Sequence, residues 1–302
     1  MTMEMEYHNP VLLKETVDGL NIKEDGVYVD VTFGGGGHSK EILSRLGENG
    51  KLFAFDQDQD ALENAIDDPR FKLISQNFRH LKKFLRFYGI KKVDGILGDF
   101  GVSSHQFDVA ERGFSLRFEA DLDMRMDQEG EISAFHVVNE YSERDLISLL
   151  FSYGELRNSK AIAARIIEVR EEKPIKTTEE LRVALKRFLP NYKEHKILAQ
   201  IYQAIRIEVN QEIEALKEFL LETLDMLESG GRMSLISYHS LEDRLVKRFI
   251  RNGLFEGEPE KDFYGRFEVP FKKVGGLIIP SKEEIKINNR ARSAKLRIAE
   301  RV

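Results

Sequence analysis

The sequence predicts an α/β fold: a Rossmann-like core with a mostly parallel sheet, helices on both faces, and an inserted helical domain. Three observations predict it. Short β-branched strands alternate with helical segments from Val27 to Leu97. A run of four glycines, Gly34 to Gly37, joins the first strand to the first helix. After about Gly113 nearly everything has helical period until a strand signal returns at Arg232. Alternating strands and helices imply a parallel sheet covered on both faces.

The elements follow in order. Val27–Val31 is a β-branched strand containing Asp30, and the glycine turn leads into a helix from about His38 to Leu46. Lys51–Phe55 is the second strand, closed by Asp56. A helix near Gln59–Ile66, a strand Phe71–Ser75, a helix His80–Tyr88 and a strand Val93–Leu97 come next, the last opening into Gly98-Asp99-Phe100-Gly101. The helical stretch carries cap signals at Ser142 with Asp145 and Thr177 with Glu180, and breaks at Pro174 and Pro190. The expected division is 1–112 with 214–302 for the core and 113–213 for the insert. Ser240 with Asp243 reads as a capping box after the strand Arg232–Tyr238. Leu296 and Ile298 alternate with charges, as in an edge strand.

Composition bounds the function. The 302 residues, 41% hydrophobic and 32% charged, are those of an ordinary globular protein. No apolar run approaches the roughly 20 residues that span a membrane, and the acidic N-terminus lacks the apolar core of a signal peptide. A cytoplasmic location is the resulting expectation. Cysteine is absent, which removes disulfides, thiolate metal sites and thiol nucleophiles. It also removes base methylation at cytosine C5 through a cysteine adduct. The net charge of −6 speaks against nucleic acid, but bases outnumber acids from Arg157 to Arg206 and again from Lys286 onward. Each run, taken alone, also reads as a solvated face.

The chemistry concentrates at the predicted strand tips. A glycine turn opening a helix lets backbone approach a ligand closely. Asp56, about 20 residues past that turn, stands where Rossmann-like domains hydrogen-bond a ribose hydroxyl. The dinucleotide fingerprint wants glycine at its sixth position, and here that position is Ser39. S-adenosylmethionine carries no phosphates, so it needs only the close backbone and the acid. Asp99 opposite the turn is placed to accept hydrogen bonds from an amine, although it equally suits a cap on the following turn. His239, beyond the next strand, is a candidate substrate contact that also suits a structural role. A nicotinamide-dependent oxidoreductase and a non-catalytic RNA-binding assembly factor are the rival readings.

The collected strings go further. Asp30-Val-Thr-Phe-Gly with Gly-Gly-His-Ser, Gly98-Asp-Phe-Gly-Val-Ser-Ser-His-Gln106, Arg112-Gly-Phe-Ser, Leu122-Asp-Met-Arg-Met-Asp127, Gln203-Ala-Ile-Arg-Ile-Glu-Val-Asn210, Ser240-Leu-Glu-Asp-Arg244 and Arg290-Ala-Arg-Ser-Ala-Lys-Leu-Arg297 occur in one order. Together, from about Tyr7 to the C-terminus, they resemble the bacterial MraW/RsmH family. That resemblance implies an S-adenosylmethionine-dependent methyltransferase acting on cytosine N4 in small-subunit ribosomal RNA, on an assembled subunit. It implies that Gly36, Gly37, His38, Asp56, Phe78, Asp99 and Gln106 line the cofactor site; that Asp99 orients the acceptor amine is expected from its place opposite the turn. Arg206, Asn210, His239, Ser240, Arg290, Arg292, Ser293 and Lys295 are the expected RNA-facing residues, with insert and core forming the cleft. The expected partner is ribosomal RNA within the small subunit, with no membrane and no metal; a homodimer is left open. The chain departs from the family pattern at His195-Lys196-Ile197, Ala120-Asp121-Leu122 and Asn288-Asn289-Arg290, where prolines are usual. Phe100 replaces a leucine and Tyr238 a phenylalanine.

Overall fold

The computed structural model describes residues 10–260, 263–264 and 268–302. In chain order the elements are α1 (Leu13–Gly19), β1 (Val27–Asp30), α2 (Gly37–Arg45), β2 (Lys51–Asp56), β3 (Phe71–Ser75), α3 (Leu81–Phe87) and β4 (Val93–Asp99). Then come α4 (Ser104–Asp108), α5 (Ala134–Glu140), α6 (Glu143–Ser152), α7 (Ser159–Glu172), α8 (Thr178–Ala184) and α9 (Glu194–Asn210). The chain closes with α10 (Glu212–Met226), β5 (Leu227–Ser237), α11 (Ser240–Asn252), β6 (Phe271–Ile278), α12 (Lys282–Ile287) and β7 (Lys295–Arg301).

Two compact units emerge, Met1–Gly101 with Ile213–Val302, and Val102–Glu212. The first boundary thus falls ahead of Gly113, where the sequence pattern changes. The first unit holds a seven-stranded sheet in the order β3-β2-β1-β4-β5-β7-β6. β3, β2, β1, β4 and β5 pair parallel, and β7 runs antiparallel between β5 and β6. The sheet is therefore mixed at one end. β7 is not an edge strand, as its alternation suggested: its buried Leu296, Ile298 and Ala299 are paired on both sides. The charges between them are tolerated because they are answered locally. Lys295 and Arg297 both donate to Asp243, at 3.1 and 2.8 Å. β6 is the edge, and two lysines with an irregularity between Val274 and Ile278 blunt it against further pairing.

Other differences are local. The expected helix at Gln59–Ile66 is a 3-10 turn, Gln59–Asn64, capped by the Asp58 side chain on the Asp60 N–H. α11 is capped by His239, not Ser240. Its box closes with Glu242, whose carboxylate takes the Tyr238 and His239 N–H groups. The cause is register: Asp243 is drawn away by the two β7 cations, and Glu242 faces back toward the strand end.

The second unit packs its helices around a core including Leu146, Leu150, Ile162, Ile166, Leu181, Ile201 and Ile205. Thr177 and Glu180 form the expected capping box on α8, and Ser142 caps α6 through the Asp145 N–H. The loop at 117–127, dense in acids and arginines, is a scaffold. Arg125 pairs with Asp123, and the buried Arg112 guanidinium donates to the Arg125 and Met126 carbonyls.

Candidate cofactor and acceptor site

In a parallel sheet, ligands sit at the carboxyl ends of strands, where the strand order reverses. Here that point lies between β1 and β4. Asp30, Asp56 and Asp99 are the last residues of β1, β2 and β4. Their environments separate their roles.

Asp30 is fully buried beneath the glycine turn. It accepts from Ser39 Oγ at 2.7 Å and from the Thr32 N–H at 3.1 Å. Ser39, the residue that spoils the dinucleotide fingerprint, thus clamps α2 to the end of β1. Asp30 is therefore a brace, and Ser39 and Thr32 are working residues that motif reading passed over. The signal for Thr32 was its spacing of two from Asp30, which suits an Asx turn.

The turn itself is shaped by its glycines. Gly34 and Gly36 have φ of 50° and 75°, the left-handed region that other residues enter only at a cost. A methyl group built at Gly34 meets no described atom within 4 Å, so the turn is open there. At Gly37 it would lie 2.1 Å from Pro10 Cγ, against chain rather than ligand space. Gly37→Ala is accordingly expected to lose roughly 1–3 kcal/mol of stability through overpacking. Thermal unfolding of the cofactor-free protein checks it.

Asp56 is half-buried and accepts from the Gly34 N–H at 2.8 Å and the Asp58 N–H at 2.9 Å. One side chain therefore holds both the glycine turn and the loop after β2. Burial pushes Asp56 and Asp30 up to about 6 each, against the hydrogen bonds that favour their charged forms.

Asp99 does not cap the turn that follows it. Its N–H donates to Thr32 Oγ1 at 2.6 Å, and its Oδ1 accepts from the Tyr238 hydroxyl at 2.8 Å. Burial pushes its carboxyl up to about 7, with Asp30 and Glu242 adding to the shift and the Tyr238 hydrogen bond opposing it.

The remaining expected cofactor residues are engaged with protein. His38 is buried, and its Nε2 lies 3.2 Å from the Val11 carbonyl. Since a carbonyl only accepts, Nε2 carries the proton. Desolvation lowers the ring to about 4, so it is neutral near pH 7 and ties the segment before α1 to the first turn of α2. Phe78 packs its ring against Phe100 and Phe219, with centroids 5.7 and 5.5 Å away. Gln106, in the second unit, is buried and closes the capping box of α4 with Ser103.

The expected RNA-facing residues are dispersed. Arg206 forks onto Glu212 at 2.7 and 2.9 Å. Asn210 accepts from the Met126 N–H and donates to the Met124 carbonyl, fixing the acid-and-arginine loop. His239 and Ser240 begin α11. Arg292 and Ser293 are exposed and Arg290 half-buried in the 3-10 turn Asn289–Ser293, which Asn288 caps through the Arg290 N–H. Lys295 spends its charge on Asp243.

An acid-tipped parallel sheet with a glycine turn and one reversed strand defines a Rossmann-like methyltransferase core, and S-adenosylmethionine is its cofactor. The chain belongs to the MraW methylase family, whose model matches residues 5–302. It is 70% identical over 302 residues to the ribosomal RNA small subunit methyltransferase H of Flavobacterium johnsoniae, with all of both chains covered. It is 72% identical over 290 residues to the protein of that name from Flavobacterium psychrophilum, covering 96% of this chain and 100% of the other. The protein so named in Bacteroides thetaiotaomicron is 52% identical over 299 residues, covering 99% and 98%.

Proposed function

We propose that this chain transfers a methyl group to the exocyclic N4 amine of a cytidine in small-subunit ribosomal RNA, acting on an assembled subunit in the cytoplasm. The observation that carries the reading is Asp99: a carboxylate at the β4 tip, with one oxygen engaged by Tyr238 and burial holding it near pH 7. Support for the substrate comes from the relatives named as ribosomal RNA small subunit methyltransferases.

The residues present suit the cofactor. Gly34 leaves the turn open, Asp56 offers a half-buried carboxylate to ribose hydroxyls, and carboxyls disfavoured as anions favour a cationic ligand such as a sulfonium. When bound, S-adenosylmethionine supplies an electrophilic methyl group. The protein's own contribution is orientation and charge. A cytosine amine shares its lone pair with the ring, and an acceptor on its N–H localises that pair on nitrogen. Asp99 Oδ2 is that acceptor. As nitrogen bonds to carbon it gains positive charge and must release a proton, and an ionised Asp99 stabilises the charge and can receive the proton. The absence of cysteine fits an acceptor atom that is already nucleophilic.

The RNA-holding role belongs to Arg290, Arg292 and Ser293 on the 3-10 turn, and to the exposed insert bases Arg157, Lys160, Lys193 and Lys196. Of the residues nominated from sequence, Arg206, Asn210 and Lys295 act by holding loops and strands. The test compares label transfer from S-adenosylmethionine to undermethylated small subunits and to protein-free ribosomal RNA. Transfer to subunits alone supports the reading, and equal transfer to free RNA refutes the assembled-subunit part.

A further inference from the structure

The Tyr238 hydroxyl has no part in closing the core. The ring packs against the cluster that includes Val11, Leu12 and Ile236, and a methyl group at Gly101 would stand 3.6 Å from its Cδ2. Its backbone N–H is fixed on Glu242 Oε2 at 2.9 Å, which sets where the ring can reach. The hydroxyl reaches Asp99 Oδ1 at 2.8 Å, while Thr32 Oγ1 holds the Asp99 backbone at 2.6 Å. Resting on the reading of Asp99 given above, we propose that Tyr238 is a positioning residue: its hydroxyl pins Oδ1 of Asp99, so that Oδ2 alone is turned to the acceptor amine.

The chemistry fits one donor. A carboxylate free to rotate presents either oxygen in several geometries, and fixing it beforehand avoids that reorganisation when the amine arrives. A phenol donates to a carboxylate strongly, and does so best when the acceptor is ionised. The hydroxyl stays protonated, because burial and the neighbouring Asp99 and Glu242 carboxylates raise Tyr238 well above the ordinary phenol value. The ionisable groups around Asp99 are Asp30 at the end of β1, Glu242 on α11 and Tyr238 itself. Tyr238 is the one among them that favours the anion.

The test is Tyr238→Phe, which keeps the ring. Carbon-13 labelled aspartate is titrated by NMR in the cofactor-free protein, with Asp99→Asn supplying the assignment, and the pH profile of kcat/KM is measured in parallel. Losing one hydrogen bond to a charged acceptor moves the Asp99 midpoint up by about one pH unit. The acid limb of kcat/KM moves up with it, and binding of S-adenosylhomocysteine is unchanged. An unmoved Asp99 midpoint and an unmoved rate profile overturn the proposal. A shifted midpoint with an unshifted rate profile also overturns it, by reducing the pair to a structural contact. Full turnover in Asp99→Asn would instead remove the reading on which the proposal rests.

Discussion

Asp99→Asn is expected to lower turnover by about 100- to 1000-fold, the size of one preorganised electrostatic contact, and at the same time to raise the melting temperature at pH 8. The two effects have one origin. The Asp99 carboxyl titrates near 7 in the folded protein, against 3.8 for an ordinary aspartate. Between those values the folded state binds more protons than the unfolded state, so stability falls as pH rises. The stabilising effect of the protonated carboxyl is complete below about 4 and is lost as pH passes through about 7. Asparagine keeps the shape, still accepts from Tyr238 and carries no charge to desolvate. It removes the desolvation cost that the buried Asp99 carboxylate carries in the wild type. Thermal scans at pH 5 and pH 8 read the stability half: wild type and variant differ more at pH 8. With Asp99 holding the amine as proposed, turnover in the wild type rises with pH through about 7 as the carboxyl ionises. A variant less stable at pH 8, or as active as the wild type, contradicts this account of Asp99.

Asp56→Ala is expected to weaken S-adenosylmethionine binding by about 100-fold, measured by calorimetry. The loss has two parts: the hydrogen bonds to ribose, and the anchor on the Gly34 N–H at 2.8 Å that shapes the turn. Two charged hydrogen bonds at about 1.5 kcal/mol each account for roughly that factor. Near-normal affinity would remove Asp56 from the ribose role.

Much of this arrangement was legible before any coordinates. Short β-branched, apolar runs alternating with helical segments placed β1 to β4, and the 3.6 period placed the helical insert, because strands buried on both faces of a parallel sheet read as continuous apolar runs whereas amphipathic helices do not. The three strand-tip acids were legible as a set at one end of the sheet, but their roles were not: Asp30 braces Ser39 and Thr32 instead of facing ligand space. What escaped was set by tertiary partners. β7 reads as an edge strand from its alternating charges, yet lies inside the sheet because Asp243 neutralises Lys295 and Arg297 from α11. The capping residue of α11 was off by one for the same reason. β6 escaped as a strand: its lysines and paired glycines give no alternation, since an edge strand need bury only one end. His38 carries a ligand-like motif position, but its ring faces a backbone carbonyl, and no local pattern distinguishes a buried imidazole from a binding one. Tyr238 was visible only as an unusual residue at its position. Its hydroxyl gained meaning once β4 and β5 were seen side by side, with Asp99 opposite Ile236.

The central claim, that the acceptor is the cytosine N4 amine, is most directly tested by transferring a trideuterated methyl group from labelled S-adenosylmethionine to undermethylated small subunits, then digesting the RNA to nucleosides for mass spectrometry. The account predicts the label in N4-methylcytidine, in amounts that fall with Asp99→Asn. Label on a ribose hydroxyl, on cytosine C5 or in another base would contradict it.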